Sequence, residues 1–136
     1  MVLFPSVEWA ELFRAALNAN PAYATAAQAW EGDILLLILP DNGHPRGEGV
    51  HLDLAHGTCR AARYLSDPST VSSEFVYQGP RQAWERLLRH EIDPVKSIFD
   101  GTFQVKGNMA KALRFSRAAK ELIGTASAIP TSIAPS

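Results

Sequence analysis

From residue 6 onward the apolar side chains recur at helical spacing. Trp9, Leu12, Phe13, Ala16 and Leu17 fall on one stripe behind Ser6, whose hydroxyl suits an N-cap. Asn20 and Pro21 restart the pattern through Tyr23, Ala27 and Trp30, so two N-terminal helices are predicted. Gly32 and Asp33 break the chain before 34–39, an unbroken apolar run too short for a helix and apolar on both faces, which reads as a central strand. A Gly-rich loop leads to 49–55, where Val50, Leu52 and Leu54 share one face and His51 and Asp53 the other. His56, Gly57 and Thr58 form a turn into a third strand, 59–65, which can pair antiparallel with the second.

After the Asp67-Pro68-Ser69 loop, 74–78 reads as a fourth strand. Gly79 and Pro80 open a helix with Ala83, Trp84, Leu87 and Leu88 on its apolar stripe beneath Arg81, Glu85, Arg86 and Arg89. Asp93 and Pro94 then start a short helix with Val95, Ile98 and Phe99 at i, i+3, i+4, ended by Gly101. Phe103 and Val105 alternate with Thr102, Gln104 and Lys106 as a fifth strand, and Asn108 caps a last helix with Met109, Ala112, Leu113 and Ser116 in a narrow stripe. Segregated strands and helices of this kind predict an α+β fold, with a five-stranded, mainly antiparallel sheet and helices packed on one face. Residues 1–124 read as a single domain, and 125–136, rich in Ala, Ser, Thr and Pro, as a flexible tail.

Several features of 93–115 resemble the sterol carrier protein 2 family of small lipid-binding domains. They are the Asp93-Pro94 helix start, the Phe99-x-Gly101 turn, the strand ending Val105-x-Gly107 and the apolar helix that follows. The resemblance is strongest from Val76 to Leu122, and it implies the same sheet-and-helix fold enclosing an apolar tunnel. Members usually carry an acidic residue after the last glycine. Asn108 stands there instead and keeps the cap oxygen without the charge.

Composition narrows the functional classes. The 136 residues suffice for one core, and the single cysteine, Cys59, excludes an intrachain disulfide. The N-terminus lacks the pattern of a secretory leader, so a reduced, cytoplasmic setting is expected. Formal net charge is −1, which together with the lack of a recognisable binding motif argues against nucleic acid. The charge is nevertheless uneven: residues 1–59 carry a balance of −5 and residues 60–136 one of +4. Lys106, Lys111, Arg114, Arg117 and Lys120 gather around the last helix, where the first three are candidate contacts for a lipid headgroup and a transient membrane-surface contact is expected.

His51, Asp53, His56 and Cys59 are all metal-ligating types, but strand parity and the intervening turn keep them from one recognised spacing, so no metal is expected. No nucleophile elbow or phosphate-cradling loop is present, and no cofactor is expected. The favoured reading is a non-catalytic carrier for a fatty acid, acyl-CoA, phospholipid or sterol-like lipid. Its cavity wall is expected from Leu12, Phe13, Leu36, Val76, Trp84, Leu87, Ile98, Phe99, Phe103, Met109 and Leu113. Two alternatives remain open: a ligand-free homodimeric interaction protein using the two-faced 34–39 strand, and a small enzyme using Cys59 with His51.

Overall fold

The computed structural model describes residues 1–133. The elements run β1 (Val2–Phe4), α1 (Val7–Asn18), α2 (Pro21–Ala26), β2 (Glu31–Ile38), β3 (Glu48–Ala55), β4 (Thr58–Leu65), β5 (Phe75–Gly79), α3 (Arg81–Leu88), α4 (Pro94–Phe99), β6 (Gln104–Lys106), α5 (Met109–Arg114), α6 (Ser116–Ala128) and β7 (Thr131–Ile133), with a 3₁₀ turn at Pro68–Thr70. Local chemistry sets the helix starts. Ser6, Asn20, Asp93 and Asn108 each accept a hydrogen bond from the first turn of the helix that follows.

The main sheet has the order β4-β3-β2-β5-β6. Only the β2–β5 pairing is parallel; β2–β3, β3–β4 and β5–β6 are antiparallel. Because β4 lies at one edge and β5 pairs with β2 on the other side, residues 66–74 must cross β3 and β2 to deliver β5. Leu36 sits between Val50 and Tyr77 in register, and the alternating residues Ile38, Leu52, Leu54 and Phe75 continue this buried face into one hydrophobic cluster with the helices.

At one end the helix–sheet space is filled by aromatic rings. Trp9 packs on Phe4 and Phe13 at 4.5 and 5.1 Å, and Trp84 meets Phe103 at 5.1 Å and Tyr77 at 5.5 Å. Gly79 makes this packing possible, since a Cβ there would stand 2.6 Å from the Phe103 ring.

Two expectations are corrected. The segment from Thr125 is not a tail over the described residues: α6 runs to Ala128 with Thr125 and Ala126 buried, and β7 pairs in parallel with β1, Val2 opposite Thr131 and Phe4 opposite Ile133. Trp9 Nε1 donates to Thr131 Oγ1 at 3.1 Å. A three-residue strand shows no readable periodicity, and its partner lies at the far end of the chain. Residues 134–136 of the expected tail lie outside the described residues. The expected last helix is also two helices, since Phe115 leaves helical geometry at φ −107, ψ 29 and sets its ring edge-on against Trp30 at 5.1 Å.

Candidate functional site: an apolar cavity under α4, α5 and α6

Away from the aromatic end, the helices and sheet leave a cavity of about 220 Å³. Its floor comes from the sheet through Ile34, Leu54, Phe75, Tyr77 and Val105, and α6 supplies a wall of Ala118, Ala119, Leu122 and Ile123. Tyr23, Trp30 and Phe115 close one side. The short helices α4 and α5 cover the opening with Val95, Ile98 and Phe99 from one and Met109, Ala112 and Leu113 from the other. Small residues on α6 explain why space remains, because alanines facing a sheet cannot fill the layer that tryptophan and phenylalanine fill at the opposite end.

Five of the expected wall residues meet here: Val76, Ile98, Phe99, Met109 and Leu113. Strand alternation sends the Val76 side chain to the opposite face from Phe75 and Tyr77, so it borders the site from behind. Phe13, Leu36, Trp84, Leu87 and Phe103 are buried in the packed core outside the lining, and Leu12 is exposed on α1. Sequence reasoning missed Tyr23, Trp30, Phe75, Tyr77, Phe115 and the α6 wall. The helical spacing of Ala118, Leu122 and Ile123 was the available signal for that wall.

The cover is unusually apolar on its outer side. Phe99 is 83% exposed and Leu113 66%, with Val95 and Met109 also exposed. α5 buries none of its residues and is tied down by Lys111, whose ammonium lies 2.6 Å from Glu74 Oε2, donates to the Glu31 carbonyl at 2.7 Å and sits 4.6 Å above the Trp30 ring centroid. Lys111 is thus engaged in holding α5, whereas Lys106 and Arg114 are exposed and Lys120 stands in the lining.

The polar residues singled out by type do not assemble. His51 Nε2 lies 2.7 Å from Asp33 Oδ2. Burial opposes ionisation of Asp33, but the Glu74 amide and His51 outweigh it and hold the carboxyl below its ordinary value. Asp53 binds Arg60 at 2.8 Å, while His56 occupies the turn at φ 51. Cys59 is buried, and that burial pushes its thiol up to about 11, which leaves little thiolate at neutral pH. Among the described residues no three His, Cys, Asp or Glu side chains form a group that could hold a metal ion, and no helix is long and apolar enough to cross a membrane.

A second polar cluster lies beyond the cavity. Arg81 donates to Asp41 at 2.7 Å and to Glu48 at 2.7 Å, with His44 Nδ1 at 2.8 Å, and Tyr64 donates to Glu48 at 2.7 Å. The Arg81 side chain is 6% exposed. This corrects its expected place on the solvent side of α3. The cluster pins the loop between β2 and β3 to the start of α3.

Comparison with known proteins decides the family. The description "SCP-2 sterol transfer family" matches residues 12–120, most of the chain. The chain belongs to the SCP-2 sterol transfer family. A crystal structure of sterol carrier protein 2 is 32% identical, with 90% of this chain and 96% of that chain covered and a TM-score of 0.85. A solution structure from Thermus thermophilus, described as a conserved hypothetical protein and possibly sterol carrier protein, is 30% identical over 96% of this chain and 91% of that one, with a TM-score of 0.81. The apo sterol carrier protein 2 of Yarrowia lipolytica, 16% identical over 87% of this chain and 88% of that one at a TM-score of 0.58, shares the SCP-2 fold. No curated protein matches the chain.

Proposed function

We propose that the chain binds one lipid-like molecule in the cavity beneath α4, α5 and α6, and carries it without chemical change. The observation that carries this reading is an almost wholly apolar cavity whose cover continues outward as exposed Phe99 and Leu113. Membership of the SCP-2 sterol transfer family supports it, as do similar structures described as a sterol carrier and a possible one. The neutral, buried thiol of Cys59 disfavours the enzyme alternative.

Size refines the proposal. At about 220 Å³ the cavity exceeds the ~150 Å³ that holds a benzene ring and falls short of the ~300 Å³ at the lower end of ligand pockets. A long chain therefore inserts one end, and the remainder emerges along Phe99, Met109 and Leu113. Each methylene taken from water contributes about 0.8 kcal/mol before ordering and association costs. Between residues 94 and 120 there are six Lys or Arg against one acidic residue, so the mouth suits an anionic lipid surface from which cargo is loaded.

The test is a titration with fluorescent fatty acids of increasing length. Saturable one-to-one binding that tightens with length and then levels off supports the proposal. An affinity that never saturates, or no binding, overturns it.

A further inference from the structure

The two helices that cover the cavity are held unequally. α4 is anchored through Ser97, which is buried and whose carbonyl accepts the Phe103 amide at 2.9 Å. α5 buries none of its residues, and among the described residues Lys111 is the one of its six side chains that hydrogen-bonds to the rest of the fold. The Lys111 ammonium grips β2 through the Glu31 carbonyl and the start of β5 through Glu74, and it lies 4.6 and 5.8 Å from the Trp30 and Phe75 ring centroids. The Glu74 amide donates to Asp33 Oδ1 at 2.9 Å, which fixes the backbone that carries the carboxylate. Both ends of α5 are pivots. Before it, Gly107 takes φ 137 and passes so close to β5 that a Cβ would stand 2.5 Å from the Phe75 ring. After it, Phe115 leaves helical geometry with its ring set against Trp30.

Resting on the carrier reading, we propose that α5 is a hinged lid and that the Lys111–Glu74 ion pair is its latch. When the pair parts, α5 swings about residues 107 and 115 and takes Met109, Ala112 and Leu113 off the cavity, so that cargo enters and leaves. The pair suits a latch that opens often. The two side chains are 26% and 43% exposed, so water replaces much of what they lose on parting, and the closed lid is held only modestly. The latch also acts alike on empty and loaded protein, since Glu74, the Glu31 carbonyl and the Trp30 ring are all groups of the chain and none belongs to the cargo. Weakening it therefore speeds entry and exit by the same factor and leaves the equilibrium affinity where it was.

The experiment follows uptake of pyrenedecanoic acid by stopped flow, and its release to excess phosphatidylcholine vesicles, in wild type, Lys111→Met and Glu74→Gln. Methionine keeps an apolar stem over Trp30 and removes the ammonium; glutamine keeps an acceptor and removes the charge. The expected result is that both rates rise about tenfold in Lys111→Met and about threefold in Glu74→Gln, with Kd within about twofold of wild type in each. The double variant should be no faster than Lys111→Met alone, because the two side chains act through one ion pair. Unchanged rates in both variants overturn the latch. Faster release with unchanged or slower uptake, and hence a weaker affinity, also overturns it, since Lys111 would then be holding the cargo and not the lid. Should Lys111→Met fail to fold, the same outcomes read on Glu74→Gln decide. All of these results leave the carrier reading standing, whereas no uptake of the probe by wild type overturns both.

Discussion

Arg81→Met is expected to destabilise the protein by about 3–5 kcal/mol, a loss visible as a fall in thermal midpoint of roughly 10–20 °C. The cause is the pair of carboxylates left behind. Asp41 and Glu48 each lie 2.7 Å from the guanidinium in a setting where the Glu48 and Arg81 side chains are both 6% exposed. Methionine preserves much of the side-chain volume but returns no charge, so two acidic groups keep only the His44 imidazole, 3.3 Å from each, beside them. Burial alone would raise the Asp41 pKa, yet the Arg81 hydrogen bond and charge outweigh it and hold the carboxyl below its usual value. A depressed carboxyl stabilises the folded state above its unfolded value and loses that contribution as pH falls through the folded value. The gap between wild type and variant should therefore narrow on acidification in parallel thermal melts. A gap that stays constant down to about pH 3 would place the cost elsewhere.

Ala112→Trp is the second large effect, and it falls on binding instead of stability. Ala112 lies on α5 and faces the cavity, and α5 buries none of its own residues, so an indole there enters void. Excluding three or four methylenes of cargo removes about 2.5–3 kcal/mol, roughly a hundredfold in affinity. Ala110→Trp, on the same helix but exposed and outside the lining, is the control that should leave binding unchanged. Both variants should melt within a few degrees of wild type. Equal loss in the two would mean that α5 tolerates no tryptophan and that the cavity is not the binding site.

These two positions mark where the sequence is readable and where it is not. Ser6, Asn20, Asp93 and Asn108 announce helices because capping is local chemistry, and the 34–39 and 49–55 runs announce strands because side-chain period is local too. The α4 and α5 stripes were legible for the same reason, which is how Ile98, Phe99, Met109 and Leu113 reach the cavity. Whether a given part of the helix–sheet layer is filled depends on which side chains meet from distant elements. Trp84 and Phe103, expected in the wall, are packing, whereas Tyr77 and Ala118, for which the local pattern predicts no such role, are wall. Arg81 read as solvent-facing because its carboxylate partners lie 33 and 40 residues upstream. The β1–β7 pair joins the two ends of the described chain and leaves only three residues of pattern at each.

The central claim is that the cavity carries a lipid-like molecule, and native mass spectrometry of protein purified without detergent tests it most directly. The account predicts a chain carrying one additional lipid-sized mass that is released on denaturation and recovered in organic extract, and that Ala112→Trp does not retain. A monomer or dimer at its bare mass, together with no saturable uptake of a fluorescent fatty acid, would contradict it.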